Sequence, residues 1–376
     1  MKIIQAYRTH DTWKYLQEKE SLENAIVFVF ACRQLLEKLS IIEQIEDEFS
    51  QYGHIVYGST SGEIIGKRVY NSSISVTIVG FEKGTFQINS ANLKDHNSDG
   101  YSMGQKLFNS LPPDDLKHIL VLSEGNLLNG SELVRGLEKD NVKQIPITGG
   151  LCGDGDLFTK TLLGYNQKPS IGEVIIIGLY NIDIEISFGS VCGWFEFGPV
   201  RLITKSETNV LFEIDNQPAL KLYKDYLGDK LKDLPKAALL YPLKVTTKEK
   251  KQFVRTVLSI DEEKQTMTLA GDIPVGSRVQ LMMSSNEDII SGSENAAKEA
   301  LKELGRKPSI AFVVSCVGRK LVLDQRVEEE IEVIDQVFEN QVPIFGFYSY
   351  GEIVPPKANQ TAQLQNQNLT LTLISE

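Results

Sequence analysis

Three short corners of the chain end in glycine followed by an acid: Gly62-Glu63, Gly153-Asp154 and Gly351-Glu352. A carboxylate carried there can take an amine, a ring N–H or a hydroxyl, because glycine lets a ligand approach the backbone closely. It can equally accept neighbouring backbone N–H groups and brace its own turn. The third corner carries more. In "FGFYSYGE" (Phe345 to Glu352) strand alternation puts Tyr348 and Tyr350 on one face, while "SCVGR" brings Cys316 and Arg319 to the end of the neighbouring apolar strand. Arg319 suits a carboxylate and Glu352 an amine, and apolar walls with a few convergent polar groups are what a small-molecule pocket needs. The alternative is an Arg319–Glu352 salt bridge between adjacent loops. The expected ligand-binding set is therefore Glu63, Asp154, Cys316, Arg319, Tyr348, Tyr350 and Glu352.

Other chemistries fit less well. Cys32 and Cys316 each end a strand and precede a helix, a setting that can activate a thiol. A nucleophile needs a base, though, and His54 and His118 stand at the opposite ends of the strands, with His10 and His96 elsewhere. Buried, inert thiols and no enzymatic activity are expected. "GGLCGDGD" (Gly149 to Asp156) is rich in glycine but has neither the Lys-Ser/Thr of a P-loop nor the GxGxxG order. No two histidines have metal-ligand spacing.

These corners are positioned by a unit that occurs three times. "NAIVFVFAC", "HILVLSEG" and "SIAFVVSC" read as strands covered on both faces, each followed by a helix, a second strand ending at the Gly-acid corner, and a closing strand. Cys32 to Glu63 and Ser123 to Asp154 both span 31 positions, and Cys316 to Glu352 spans 36. A helix opens each unit, with helical spacing in "TWKYLQEKES", "MGQKLFNSL" and "ENAAKEALKEL". Strand, helix, strand implies a parallel pair with a right-handed crossover, and the closing strand returns antiparallel. The fold class expected is α/β with α+β character: mixed sheets flanked by helices, a layered sandwich of repeated α-β-α-β-β units. Between units two and three lie strands joined at "SETN", a hairpin at "DEEK", and a helix capped by Asp215 or Asn216, with Pro218 in its first turn and Gly228 at its end. Two domains are expected, residues 1–215 and 216–376.

Composition narrows the class. A net charge of −11 without a clustered basic face argues against nucleic acid. The most apolar window, "EVIIIGLYNIDIEISF", holds Glu173, Asp183 and Glu185 and is unsuited to a bilayer. The amino-terminal stretch turns polar by its fifth residue, unlike a secretory signal. Four cysteines without CxxC spacing fit a reduced, cytoplasmic compartment.

"YGSTSGEI", "ITGGLCGDGDLFTKT", "GWFEFGPVRLITKSETNVLFEIDNQPALKLYKDYLG", "GDIPVGSRVQL", "SCVGR" and "FGFYSYGEIVPP" together resemble the FIST domain family (F-box and intracellular signal transduction) in both its N-terminal and C-terminal parts. The resemblance implies a cytoplasmic sensory module that binds a small ligand, amino acids among those proposed. Bacterial members act beside histidine kinases, chemotaxis receptors or cyclic-nucleotide enzymes, and eukaryotic relatives carry an F-box. The two halves use up this chain, so signalling through a separate partner protein is expected. Some members bind haem, but His54, His96 and His118 are poorly placed as axial ligands and no cofactor is expected. A scaffold recruiting other proteins, a haem-based gas sensor and a thiol-dependent enzyme are the alternatives.

Overall fold

The computed structural model describes residues 1–9, 12–22, 25–228 and 236–376; His10 lies outside them. Each first strand alternates between two cores. In Ala25–Ala31, Ile26, Phe28 and Phe30 face a central cluster, and Val27 and Val29 face a helical layer. Leu116–Ser123 and Ile310–Cys316 do the same, with Leu122 and Phe312 in the central cluster and Val121 and Val313 outside it. That cluster draws on all three units. Its phenylalanines interlock, Phe30 with Phe347 at 4.7 Å and Phe312 with Phe345 at 4.9 Å between ring centroids. Such pairs add about 0.5–1.5 kcal/mol each beyond their buried area.

Three six-stranded mixed sheets surround this core. In each, the first strand pairs parallel with the second (Gly53–Ser59, Ile147–Leu151 or Ile344–Ser349). It pairs antiparallel with the closing strand (Ile74–Gly80, Glu173–Tyr180 or Leu369–Ser375). Beyond each closing strand lies an outer one, Lys2–Arg8, Thr85–Asn92 or Glu185–Val191.

The sheets also exchange strands. After its corner, unit one sends Glu63–Ile65 to pair with the second strand of unit three. Unit three sends Gly351–Val354 to unit two, and unit two sends Leu163–Tyr165 to unit one. The exchange runs in a closed ring.

Helices cover the outer faces: α1 (Arg33–Leu36) and α2 (Leu39–Phe49) over the first sheet, α3 (Gly100–Asn109) and α4 (Gly130–Glu138) over the second. α2 forms because Ile42, Ile45 and Phe49 fall on one buried stripe. α5 (Ala219–Leu227) belongs to the insert between units two and three. α6 (Asn286–Glu303), α7 (Val317–Leu323) and α8 (Glu329–Val337) belong to unit three. A Ser285–Asp288 capping box starts α6. Its small face comes so close to the outer strand that a Cβ on Gly189 would lie 2.1 Å from the Ala296 carbonyl oxygen. No described helix is long and apolar enough to cross a membrane.

Three local expectations are corrected. Thr12–Ser21 contains no helix. Lys14–Tyr15 pairs with Lys2–Arg8, because Trp13 and Tyr15 turn inward onto Phe49 and Tyr15 reaches Glu48. Neither Asp215 nor Asn216 caps α5. Both adopt left-handed conformations in a turn, and Pro218 is the cap of a helix that Gly228 ends. Tyr348 and Tyr350 do not share a face, for the chain changes sheets between them. Tyr348 packs under the α6–α8 layer, and Tyr350 packs with unit two.

Candidate ligand site

Glu63 and Glu352 occupy matching places. Both are fully buried. Glu63 accepts hydrogen bonds from Thr60 Oγ1 (2.6 Å), Ser73 Oγ (2.5 Å) and the Ser73 backbone N–H (3.3 Å). Glu352 accepts from Ser349 Oγ (2.5 Å) and the Asn368 backbone N–H (3.0 Å). Ser73 and Asn368 each precede a closing strand, and their carbonyls accept the backbone N–H of Cys32 and Cys316. The Gly-acid corners of units one and three are thus one piece of architecture used twice. Unit two departs. Glu124 stands there in the place of Cys32 and Cys316, its N–H bonded to the Glu173 carbonyl, and its carboxylate accepts the backbone N–H groups of Asn126, Leu127 and Leu128 and the hydroxyl of Thr161.

Asp154, at the unit-two corner, holds its own loop through Thr159 and the Lys160 N–H and is paired with an arginine of unit one. Its oxygens take Arg33 Nε at 2.8 Å and Thr159 Oγ1 at 2.7 Å, and its backbone leads into a loop that rejoins a sheet only at Leu163. Glu63, Asp154 and Asp156 border one cleft of 340 Å³ with Cys32, the Thr60–Gly62 turn and α7. Lys320 of α7 reaches across it to the Ser61 carbonyl and Asn71 Oδ1. All three units therefore contribute to this one space.

α7 divides the expected set. Lys320 faces the cleft, its Nζ 5.6 Å from the centre of the Tyr348 ring. The next residue, Arg319, faces away and is fully buried. Its Nε donates to Glu330 Oε1 at 2.7 Å, its Nη1 to the Cys192 carbonyl at 2.6 Å, and its Nη2 to Ser293 Oγ at 2.7 Å and the Ile289 carbonyl at 3.1 Å. The partner of Arg319 is Glu330, then, and not Glu352. Glu330 also accepts Ser315 Oγ and the Tyr348 hydroxyl. Cys316 and Glu352 lie together behind α7, while Tyr350 stacks on Phe158 of the Asp154 loop at 4.3 Å.

Lys320, Glu330 and Glu124 were not anticipated. Lys320 is legible only once "SCVGRK" is read as a helix, where neighbours point about 100° apart. His54 and His118 are occupied by Tyr165 and Thr148. Burial raises the thiols of Cys32 and Cys316, so both stay protonated at neutral pH.

Burial also raises the two bracing carboxyls, Glu63 to about 7 and Glu352 to about 8, against an ordinary value of 4.5. Hydroxyl and amide donors pull them only part of the way back. A folded-state pKa above the unfolded one gives stability that is complete below pH 4.5 and lost as pH rises through 7 to 8. Melting curves from pH 5 to 9 should therefore show the Glu63→Gln/Glu352→Gln protein gaining on the wild type as pH rises. Parallel curves would reject the assignment.

The family model described as the FIST N domain matches residues 25–217, and that described as the FIST C domain matches residues 219–355. No curated protein matches the chain.

Proposed function

Because the chain belongs to the FIST family, whose domains are associated with sensing in signal transduction, we propose that it is a ligand-binding sensor whose occupied site is the Glu63–Asp154–Lys320 cleft. The ligand is a small polar metabolite carrying both an acidic and a basic group, amino acid-like in chemistry. The observation behind this reading is the convergence of carboxylates from units one and two with an amine from unit three on one 340 Å³ cleft. That volume lies within the range of small-molecule sites. Lys320 meets the ligand's acid, and the Asp154–Asp156 side meets its amine.

Occupancy has a route outward. A ligand that draws Lys320 from Ser61 and Asn71 pulls on α7, whose adjacent Arg319 is bonded to α6 at Ile289 and Ser293. To signal, the ligand must bind the two positions of α7 with different affinity. The reader of that change is a separate protein, such as a histidine kinase or a cyclic-nucleotide enzyme, in the cytoplasm.

A thermal-shift screen of the purified protein against amino acids and small organic acids tests the reading. Compounds with both an acid and an amine should raise the melting temperature, and Lys320→Met and Asp154→Asn should each remove that shift. A shift that survives both substitutions places the ligand elsewhere, and no shift from any amine-bearing acid rejects the ligand class.

A further inference from the structure

A second cleft lies between unit two and the insert, where α3 and α4 face the Leu243–Thr246/Gln252–Arg255 hairpin and the 361–364 segment. At 520 Å³ it is larger than the Lys320 cleft. Tyr101, Val134, Phe253, Pro274, Ala362 and Leu364 give it mostly apolar walls. Among its lining residues is Arg255, only 4% exposed.

A buried guanidinium is ordinarily matched by a carboxylate, since an uncompensated charge away from water is costly. Arg319 is matched in this way by Glu330. Arg255 is different: among the described residues no carboxylate forms an ion pair with it. Its Nε donates to the Asp272 backbone carbonyl at 3.0 Å, and its Nη1 to the carbonyls of Val254 and Leu364, both at 3.0 Å. Nη2 has a single long contact, 3.4 Å to Ser131 Oγ. Five N–H donors make up a guanidinium, so the Nη2 edge is left for a further acceptor. The nearby Asp272 carboxylate is already committed to Asn129 Nδ2 at 2.7 Å and Arg135 Nη1 at 2.8 Å. A second polar group in the lining is also unmatched: Gln363 Oε1 is buried without a hydrogen-bond partner. Arg135, Lys139 and Lys251 in the lining are offset by Asp272, Glu138 and Glu249, so the charge left to meet a ligand is that of the buried guanidinium.

We infer that this cleft is a second ligand site, specific for a small organic carboxylate with an apolar body. The carboxylate accepts from the Nη2 edge of Arg255, and the body lies between Phe253, Val134 and Leu364. A hydroxyl or amide N–H on the ligand meets Gln363 Oε1. The site joins residues from the two matched parts, Val134 from the first and Arg255 from the second, so its occupancy fastens the insert to unit two.

The test uses the full-length protein and isothermal titration with 4-phenylbutyrate, octanoate and their neutral amides. The carboxylates should bind, and the amides at least about tenfold more weakly, because they lack the charge that Arg255 requires. Thr361→Trp, at an exposed position on the rim, should fill the cleft and weaken the acids by at least about tenfold. Arg255→Met should abolish binding. If that protein does not fold, Thr361→Trp and the acid–amide comparison decide the matter. Lys320→Met should leave these affinities unchanged, which separates this site from the polar cleft. Equal binding of acids and amides, or no binding of either acid at millimolar concentration, overturns the inference.

Discussion

Arg319→Ala should cost roughly 3–5 kcal/mol of folding stability, the range for breaking a buried ion pair from one side. The substitution strands the Glu330 carboxylate in a fully buried position, with only Ser293, Ser315 and Tyr348 to bond it. It also takes the Arg319 donor from the Cys192 carbonyl, while the Ile289 carbonyl keeps Ser293 Oγ. Equilibrium urea unfolding should show the midpoint falling sharply, and Glu330→Ala should fall by a similar amount. Because both substitutions remove the same pair, the double variant should lose much less than the sum of the two. An Arg319→Ala protein as stable as the wild type would show that this network does not hold α7 in place. A ligand role for Arg319 sits poorly with that geometry, since its donors are consumed by the protein itself.

A comparable loss is expected from a single methyl group at Gly346. The second strands of units two and three carry glycine opposite the same point of the first strand, Gly149 beside Val121 and Gly346 beside Val313. Both have positive φ, +146° and +155°. A Cβ on Gly346 would lie 1.7 Å from the Val313 carbonyl oxygen, and one on Gly149 would lie 1.9 Å from that of Val121. Neither contact can be relieved by rotating a side chain, so the parallel pair itself must part. Gly346→Ala and Gly149→Ala should each lose at least about 3 kcal/mol, adding backbone strain to steric overlap. Gly155→Ala is the control. Its φ of +63° is also left-handed, but a Cβ there meets nothing within 4 Å, and the expected cost is about 1–2 kcal/mol. Soluble yield and urea midpoints of the three variants would check the order, and similar behaviour of all three would refute it.

The repeat was legible because its strongest element is local. "IVFVF", "ILVLS" and "AFVVS" are continuous apolar runs, and each became a strand buried on both faces. The mixed sheets flanked by helices follow from those runs and the helices between them. The outer strands were harder to see. Thr85–Asn92 is only partly covered, so its residues alternate weakly and carry little pattern. Register and partner choice are non-local, which is why nothing in "SGEI" reveals that Glu63 will lie beside Phe347 rather than within its own sheet. The partner of Arg319 was obscured for a related reason. Within "VEEEIEVID" helical phase alone decides that Glu330 is buried and Glu329 is not. The corners themselves were visible, and two of the three do meet at one cleft. Glu352, whose letters match best, is turned into the protein by the same bonds that brace Glu63.

The circular loan of strands has a bearing on how this chain can be divided. Each unit's sheet is finished by a segment from another, and the segment that finishes unit two, Gly351–Val354, comes from near the far end of the sequence. A fragment ending at the boundary between the matched parts keeps Ile147–Leu151 but leaves its outer side with unanswered peptide groups. The same cut detaches Glu63–Ile65 from the strand that receives it. The boundary between the two matched parts, at residues 217–219, therefore marks a division in the sequence and not a seam in the object, which closes on itself like a three-part clasp.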